Sequence, residues 1–164
     1  MPQAIPPGNE RPLTAGETAI AQAVFGAALD PSGVRIRRDK WFPFQPSTTV
    51  MAPCGHLHFH PRSLLYRDDF GVAGPGLQAL FVHELTHVWQ TQLRGRWWLP
   101  LMRHPFCRYN YTLVPDRPLS RYGIEQQAEI VAHGWLATIG AAIPRDRPAE
   151  LLLALLPVHQ HRTR

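Results

Sequence analysis

Cysteine is scarce in this 164-residue chain, with Cys54 and Cys107 as its two. Two are too few for a disulfide framework or a Cys-rich zinc site, and both are expected as buried free thiols. Lysine is almost missing: of 17 basic residues only Lys40 is a lysine. No stretch reaches the ~18 consecutive apolar residues of a membrane-spanning helix, so no membrane span is expected. The start, Met1-Pro2-Gln3-Ala4-Ile5-Pro6-Pro7-Gly8, has neither the charged head nor the apolar stretch of a secretory signal. That predicts a cytoplasmic protein by default, with signal-independent secretion as the alternative. No internal repeat of roughly 20–50 residues is present, which excludes solenoids and propellers.

What is present suits one folded unit. Apolar residues make up 45% of the chain and charged residues 18%, enough for a single core. Seventeen prolines and twelve glycines punctuate it, so helices are expected to be few. Residues 1–13 hold four prolines and read as a flexible leader. Residues 14–157 read as one domain, and 158–164 as a polar tail. The net charge is +5, and nine histidines are counted neutral in that figure. So dense a histidine content points to metal or acid–base chemistry.

The patterns along the chain predict an α+β domain. Thr14 with Glu17 three residues on is a capping box for a helix over 14–29. Val34 and Ile36 alternate with Arg35 and Arg37, and residues 48–51 are β-prone; both read as short strands. In 56–60, His56, His58 and His60 face one way while Leu57 and Phe59 face the other. The strongest helical pattern covers 77–93. Residues 94–118 form a long Arg-, Trp- and Pro-rich connection. A second long helix is expected over 120–139, capped by Ser120, and a short one over 148–156.

Chemistry centres on Phe81-Val82-His83-Glu84-Leu85-Thr86-His87-Val88-Trp89, which contains H-E-x-x-H. On a helix, residues four apart share a face, so both imidazoles reach one cation. Glu84 lies beside the metal, placed to take a proton from water. Leu80, Phe81, Leu85 and Val88 supply an apolar side. Zinc sites of this kind need a third protein ligand. The second long helix carries Glu125, Glu129 and His133 along one face, opposite Ile124, Ala128, Val131 and Leu136. Each of the three is a candidate.

H-E-x-x-H followed by a helix bearing E-x-x-x-[DE] resembles the gluzincin branch of small zinc metallopeptidases. The strings F-V-H-E-L-T-H-V-W-Q and Y-G-I-E-Q-Q-A-E also resemble short bacterial proteins called Vgr-related. The resemblance covers roughly residues 14–140. It implies a minimal zincin-like domain: a small sheet against the H-E-x-x-H helix and a second Glu-bearing helix. It implies one Zn2+ held by His83, His87 and Glu125, with Glu84 as general base. Glu129, where the larger members carry Asp, would hold a ligand imidazole by hydrogen bond, or itself serve as ligand. Metal-assisted hydrolysis of a peptide or protein substrate is the implied activity. Tyr122, just before the Glu125 helix, is favoured as donor to the oxyanion over Tyr109, Tyr111, His104 and Arg121. The strand before the metal helix is expected to be the cleft's edge, with His58 and His60 meeting the substrate.

The connection from Arg94 to His104 mixes cations with aromatics. The favoured reading is a loop over the cleft with Trp97 or Trp98 in the core. Contact with a membrane, a nucleic acid or an anionic polymer is the alternative. A nucleic-acid partner is not expected, because the arginines are scattered. A secretion-associated binding module without hydrolytic activity is the alternative to an enzyme.

Overall fold

The structure, a computed structural model, describes residues 5–102 and 107–160. His104 and residues 161–164 of the expected tail lie outside the described residues. The elements run β1 (Glu10–Pro12), α1 (Ala15–Phe25), β2 (Arg35–Arg37), β3 (Val50–Met51), β4 (Leu57–Phe59), α2 (Pro75–Arg94), α3 (Trp98–Met102), α4 (Ile124–Thr138), α5 (Ala149–Ala154) and α6 (Pro157–Gln160). This is an α+β arrangement: a small four-stranded sheet with helices packed against it.

Strand order is β1-β2-β4-β3. β1 and β2 are antiparallel, β2 and β4 parallel, and β3 and β4 antiparallel. Two expectations change here. Residues 10–12 of the expected leader form β1, because Arg11 is drawn inward by Glu17. And β4 lies inside the sheet, so both its edges are already hydrogen-bonded; β3 is the outer strand on that side.

The capping box at α1 forms as its residues predict. Thr14 Oγ1 accepts from Glu17 N at 3.1 Å, and Glu17 returns the bond by accepting from Thr14 N at 2.9 Å. Glu17 is nonetheless fully buried. It also accepts two bonds from the Arg11 guanidinium, at 2.7 and 2.8 Å, and one from Phe70 N at 2.9 Å. One carboxylate therefore fastens β1, α1 and the turn Phe70–Val72 together. Burial works against the Arg11 charge, but the hydrogen bonds and charge of Glu17 outweigh it and raise its pKa above the usual arginine value. Phe70 stacks on Phe81 of α2 at 5.2 Å and on Phe59 of β4 at 5.5 Å. That aromatic column carries the fastening to the helix that bears H-E-x-x-H. The turn also needs Gly71: a Cβ there would lie 2.7 Å from Gly16 Cα.

α2 starts after Gly74 with Pro75 in its first turn, where a missing N–H costs nothing. It stops at Gly95, whose φ of 98° favours glycine. α4 starts at Gly123 rather than Ser120, which sits in the turn Leu119–Arg121. The capping acceptor there is Gln126, which takes the Gly123 N–H at 2.9 Å. Within the long connection, α3 buries Leu99 and not a tryptophan; Trp97 stays exposed. Residues 158–160 of the expected tail fall in α6. Cys54 and Cys107 are both free, Cys54 buried and Cys107 half-buried. No helix among the described residues is long and apolar enough to cross a membrane.

Candidate metal centre

α2 and α4 pack side by side and turn their polar residues toward each other. From α2 come His83, Glu84 and His87, all buried; from α4 comes Glu125, with no exposed surface. One ligand atom each from His83, His87 and Glu125 lie within 4.8 Å of one another. His83 Nε2 is 3.3 Å from Glu125 Oε2, and His87 Nε2 is 3.2 Å from the same oxygen.

The outer ring nitrogens decide what this means. His83 Nδ1 lies 3.0 Å from Glu129 Oε1. His87 Nδ1 lies 2.9 Å from Gln90 Oε1. The Gln90 amide cannot be turned round, since its Nε2 donates to the Ile124 carbonyl and to Gln127 Oε1, both at 3.1 Å. Both outer partners are acceptors, so each ring carries its proton on Nδ1. With both rings neutral, two Nε2 lone pairs and a carboxylate oxygen converge with no proton between them. Three acceptors at such distances repel unless a cation joins them. Without a cation, protonation of His83 relieves that repulsion. Burial works against charge there, yet hydrogen bonds to Glu125 and Glu129 and the charge of Glu84 raise its pKa to about 10. The donor set, two imidazoles and one buried carboxylate, is one that suits a zinc ion.

No known-family profile matches the chain. A curated relative is the type VI secretion system spike protein VgrG2b of Pseudomonas aeruginosa, 39% identical over 127 residues. The match spans 74% of this chain but 12% of that much longer protein. A solved structure, the effector domain of Pseudomonas aeruginosa VgrG2b, matches with a TM-score of 0.68 at 37% identity, covering 79% of this chain and 75% of that one. The chain belongs to the family of VgrG2b effector domains.

Membership corrects the resemblance to gluzincin metallopeptidases. H-E-x-x-H and a following acidic helix are short local patterns that unrelated chains can share, whereas the VgrG2b match runs through most of the chain. Only the Vgr-related part of the resemblance stands.

Residues of this candidate site border a cleft of ≈ 340 Å³. His83, Glu84, Glu129 and His133 line it from the helices, Thr48, Thr49 and Val50 from the sheet side, and Tyr109 from the long connection. The Tyr109 ring lies nearly parallel to His83, 15° between planes and 6.3 Å between centroids. His133 Nδ1 sits 2.6 Å from the Tyr111 hydroxyl, and its Nε2 is 3.8 Å from Glu129 Oε2.

Three sequence-derived roles do not meet this cleft. Tyr122 is buried away from it: its hydroxyl accepts from Val114 N at 3.1 Å, and Arg117 covers its ring at 4.5 Å. His58 is buried in β4 with Trp41 edge-on at 5.5 Å. Burial, then the nearby Arg37 charge, push its pKa down to about 4. His60 turns back on its own loop, accepting from Arg62 N at 3.0 Å. Neither histidine lines the cleft, because an interior strand has no edge to offer; residues 48–50, ending on β3, take that place. Gln90 was not singled out from sequence. Its signal was there, since a residue three beyond a helical histidine shares its face.

Proposed function

We propose that this chain is a secretion-delivered effector module carrying one zinc ion on His83, His87 and Glu125. The observation behind it is the meeting of two imidazole Nε2 atoms on one oxygen of a fully buried carboxylate. Kinship with a spike protein's effector domain supports the delivery half of the reading. The test is metal analysis of the purified chain: about one zinc per chain, lost in His83→Ala and Glu125→Ala. A wild-type chain without stoichiometric zinc would sink the proposal.

Glu84 favours a second reading, in which the module is also a hydrolase of peptide or protein amides. Zinc, when bound, polarises a carbonyl and makes water a better nucleophile near neutral pH. Glu84, buried beside His83 on the cleft wall, takes the proton of the attacking water and delivers it to the leaving amine. Glu129 and Gln90 hold the two rings by their Nδ1 atoms and stop them rotating. Tyr109, His133, Thr48 and Thr49 line the cleft and each has an O–H or N–H to offer a developing oxyanion. The 48–50 backbone alongside suits an extended chain. Glu84→Gln should keep its zinc and lose cleavage of a peptide library. If cleavage persists in that variant, Glu84 is not the base; if wild type with zinc cleaves nothing, the non-enzymatic reading holds.

A further inference from the structure

We propose that α3 and its flanks form a docking surface for an anionic phospholipid bilayer. This goes beyond the zinc and hydrolase readings and stands without them. Within ten residues the chain exposes Leu93 at 56%, Trp97 at 58%, Leu101 at 81% and Met102 at 51%. Four large apolar side chains exposed within ten residues suit an apolar partner. Two arginines rise among them. The Arg94 guanidinium lies 5.7 Å from the Trp98 ring centroid, and that of Arg96 lies 5.3 Å from that of Trp97. Each pair puts an apolar face and a cation on one short stem, the composition of side chains that settle at a lipid–water boundary.

Charge complementarity selects the bilayer's sign. No aspartate or glutamate occurs from residue 85 to residue 115. The stretch itself therefore carries only cations, with Asp30, hydrogen-bonded to Gln92, as an acidic neighbour at its base, and the exposed Arg108 lines one pocket with Met102. A nucleic acid would use the arginines but offers nothing to Leu101 or Met102, so the aliphatic exposure favours lipid. α3 also shares a cavity with the candidate metal centre. Leu99 and Pro100 line an apolar cavity of ≈ 210 Å³ with Trp41, Met51 and His87. A bilayer bound at α3 would hold the His87 side of the centre close to the membrane.

The experiment is co-sedimentation of the purified chain with vesicles of phosphatidylglycerol and phosphatidylcholine in equal parts, against phosphatidylcholine alone. Binding is expected to the anionic vesicles, with a blue shift of tryptophan emission. The double variant R94Q/R96Q should lower partitioning by roughly 30-fold. W97S/L101S should lower it by roughly tenfold or more. The control R62Q/L64S changes an exposed arginine and an exposed leucine elsewhere and should bind as wild type does. Thermal unfolding and far-UV circular dichroism are measured in all three to verify folding. Absence of binding to anionic vesicles overturns the proposal. So does equal loss in the control, which would reduce the effect to net charge. Duplex DNA binding that exceeds vesicle binding and falls in the same variants would assign the patch to nucleic acid and also overturn it.

Discussion

Glu17→Ala removes a carboxylate that accepts four hydrogen bonds: two from Arg11, one from Thr14 N and one from Phe70 N. The alanine leaves a buried guanidinium without its counter-charge and two backbone N–H groups without acceptors. Breaking a buried ion pair from one side costs about 3–5 kcal/mol. Domains of this size are stabilised by about 5–15 kcal/mol in total, so the loss is a large fraction of stability. At about 2–4 °C per kcal/mol, the melting temperature should fall by roughly 6–20 °C. Urea unfolding followed by far-UV circular dichroism reads the free energy directly. The double variant R11M/E17L, which replaces both charges by apolar groups of similar reach, should recover most of the loss. A cost for Glu17→Ala below about 1 kcal/mol, or a double variant as unstable as the single one, would refute the claim that Glu17 ties β1, α1 and the Phe70 turn together.

Gln90→Ala frees His87 Nδ1 from its acceptor and should weaken zinc binding about 10–100-fold, measured by chelator competition, with secondary structure unchanged. Gly71→Ala places a methyl against the Gly16 backbone; chemical denaturation should show a loss of about 1–3 kcal/mol. The folded pKa of His58, about 4, lies below its ordinary 6.5. Its contribution is therefore whole above 6.5 and lost as pH falls from there toward 4. Stability measured across that window should drop less in His58→Gln than in wild type, by about 2 kcal/mol after allowance for solvent screening; parallel profiles would show that His58 is not held neutral.

Residues close in the chain were legible in advance. The pair His83 and His87 is one helical turn apart, and the pattern that puts both on one face needs no knowledge of the fold. The same holds for Thr14 and Glu17 at the start of α1, and for the run that becomes α2. Glu125, Glu129 and His133 were readable as one face of a helix. Which of them would meet the histidines was not, because that depends on the angle and offset at which α4 packs on α2. Tyr122 shows the limit most plainly. Its position just before the Glu125 helix argued for the cleft, yet its hydroxyl is taken by Val114 N and its ring by Arg117.

By itself the sequence determined the histidine-bearing face of α2, the cap of α1 and the α+β character, since each rests on bonds or periodicities spanning a few residues. Tertiary structure decided the rest. Strands of two or three residues carry almost no local signal, so only pairing across the sheet could place β4 inside and leave β3 at the cleft. Only the packing of α4 could bring Glu125 Oε2 between two imidazoles 38 and 42 positions away in sequence. A leader residue, Arg11, became core because its guanidinium pairs with the buried Glu17 carboxylate. And α3 buried Leu99 while leaving Trp97 outside, a choice that composition alone could not make.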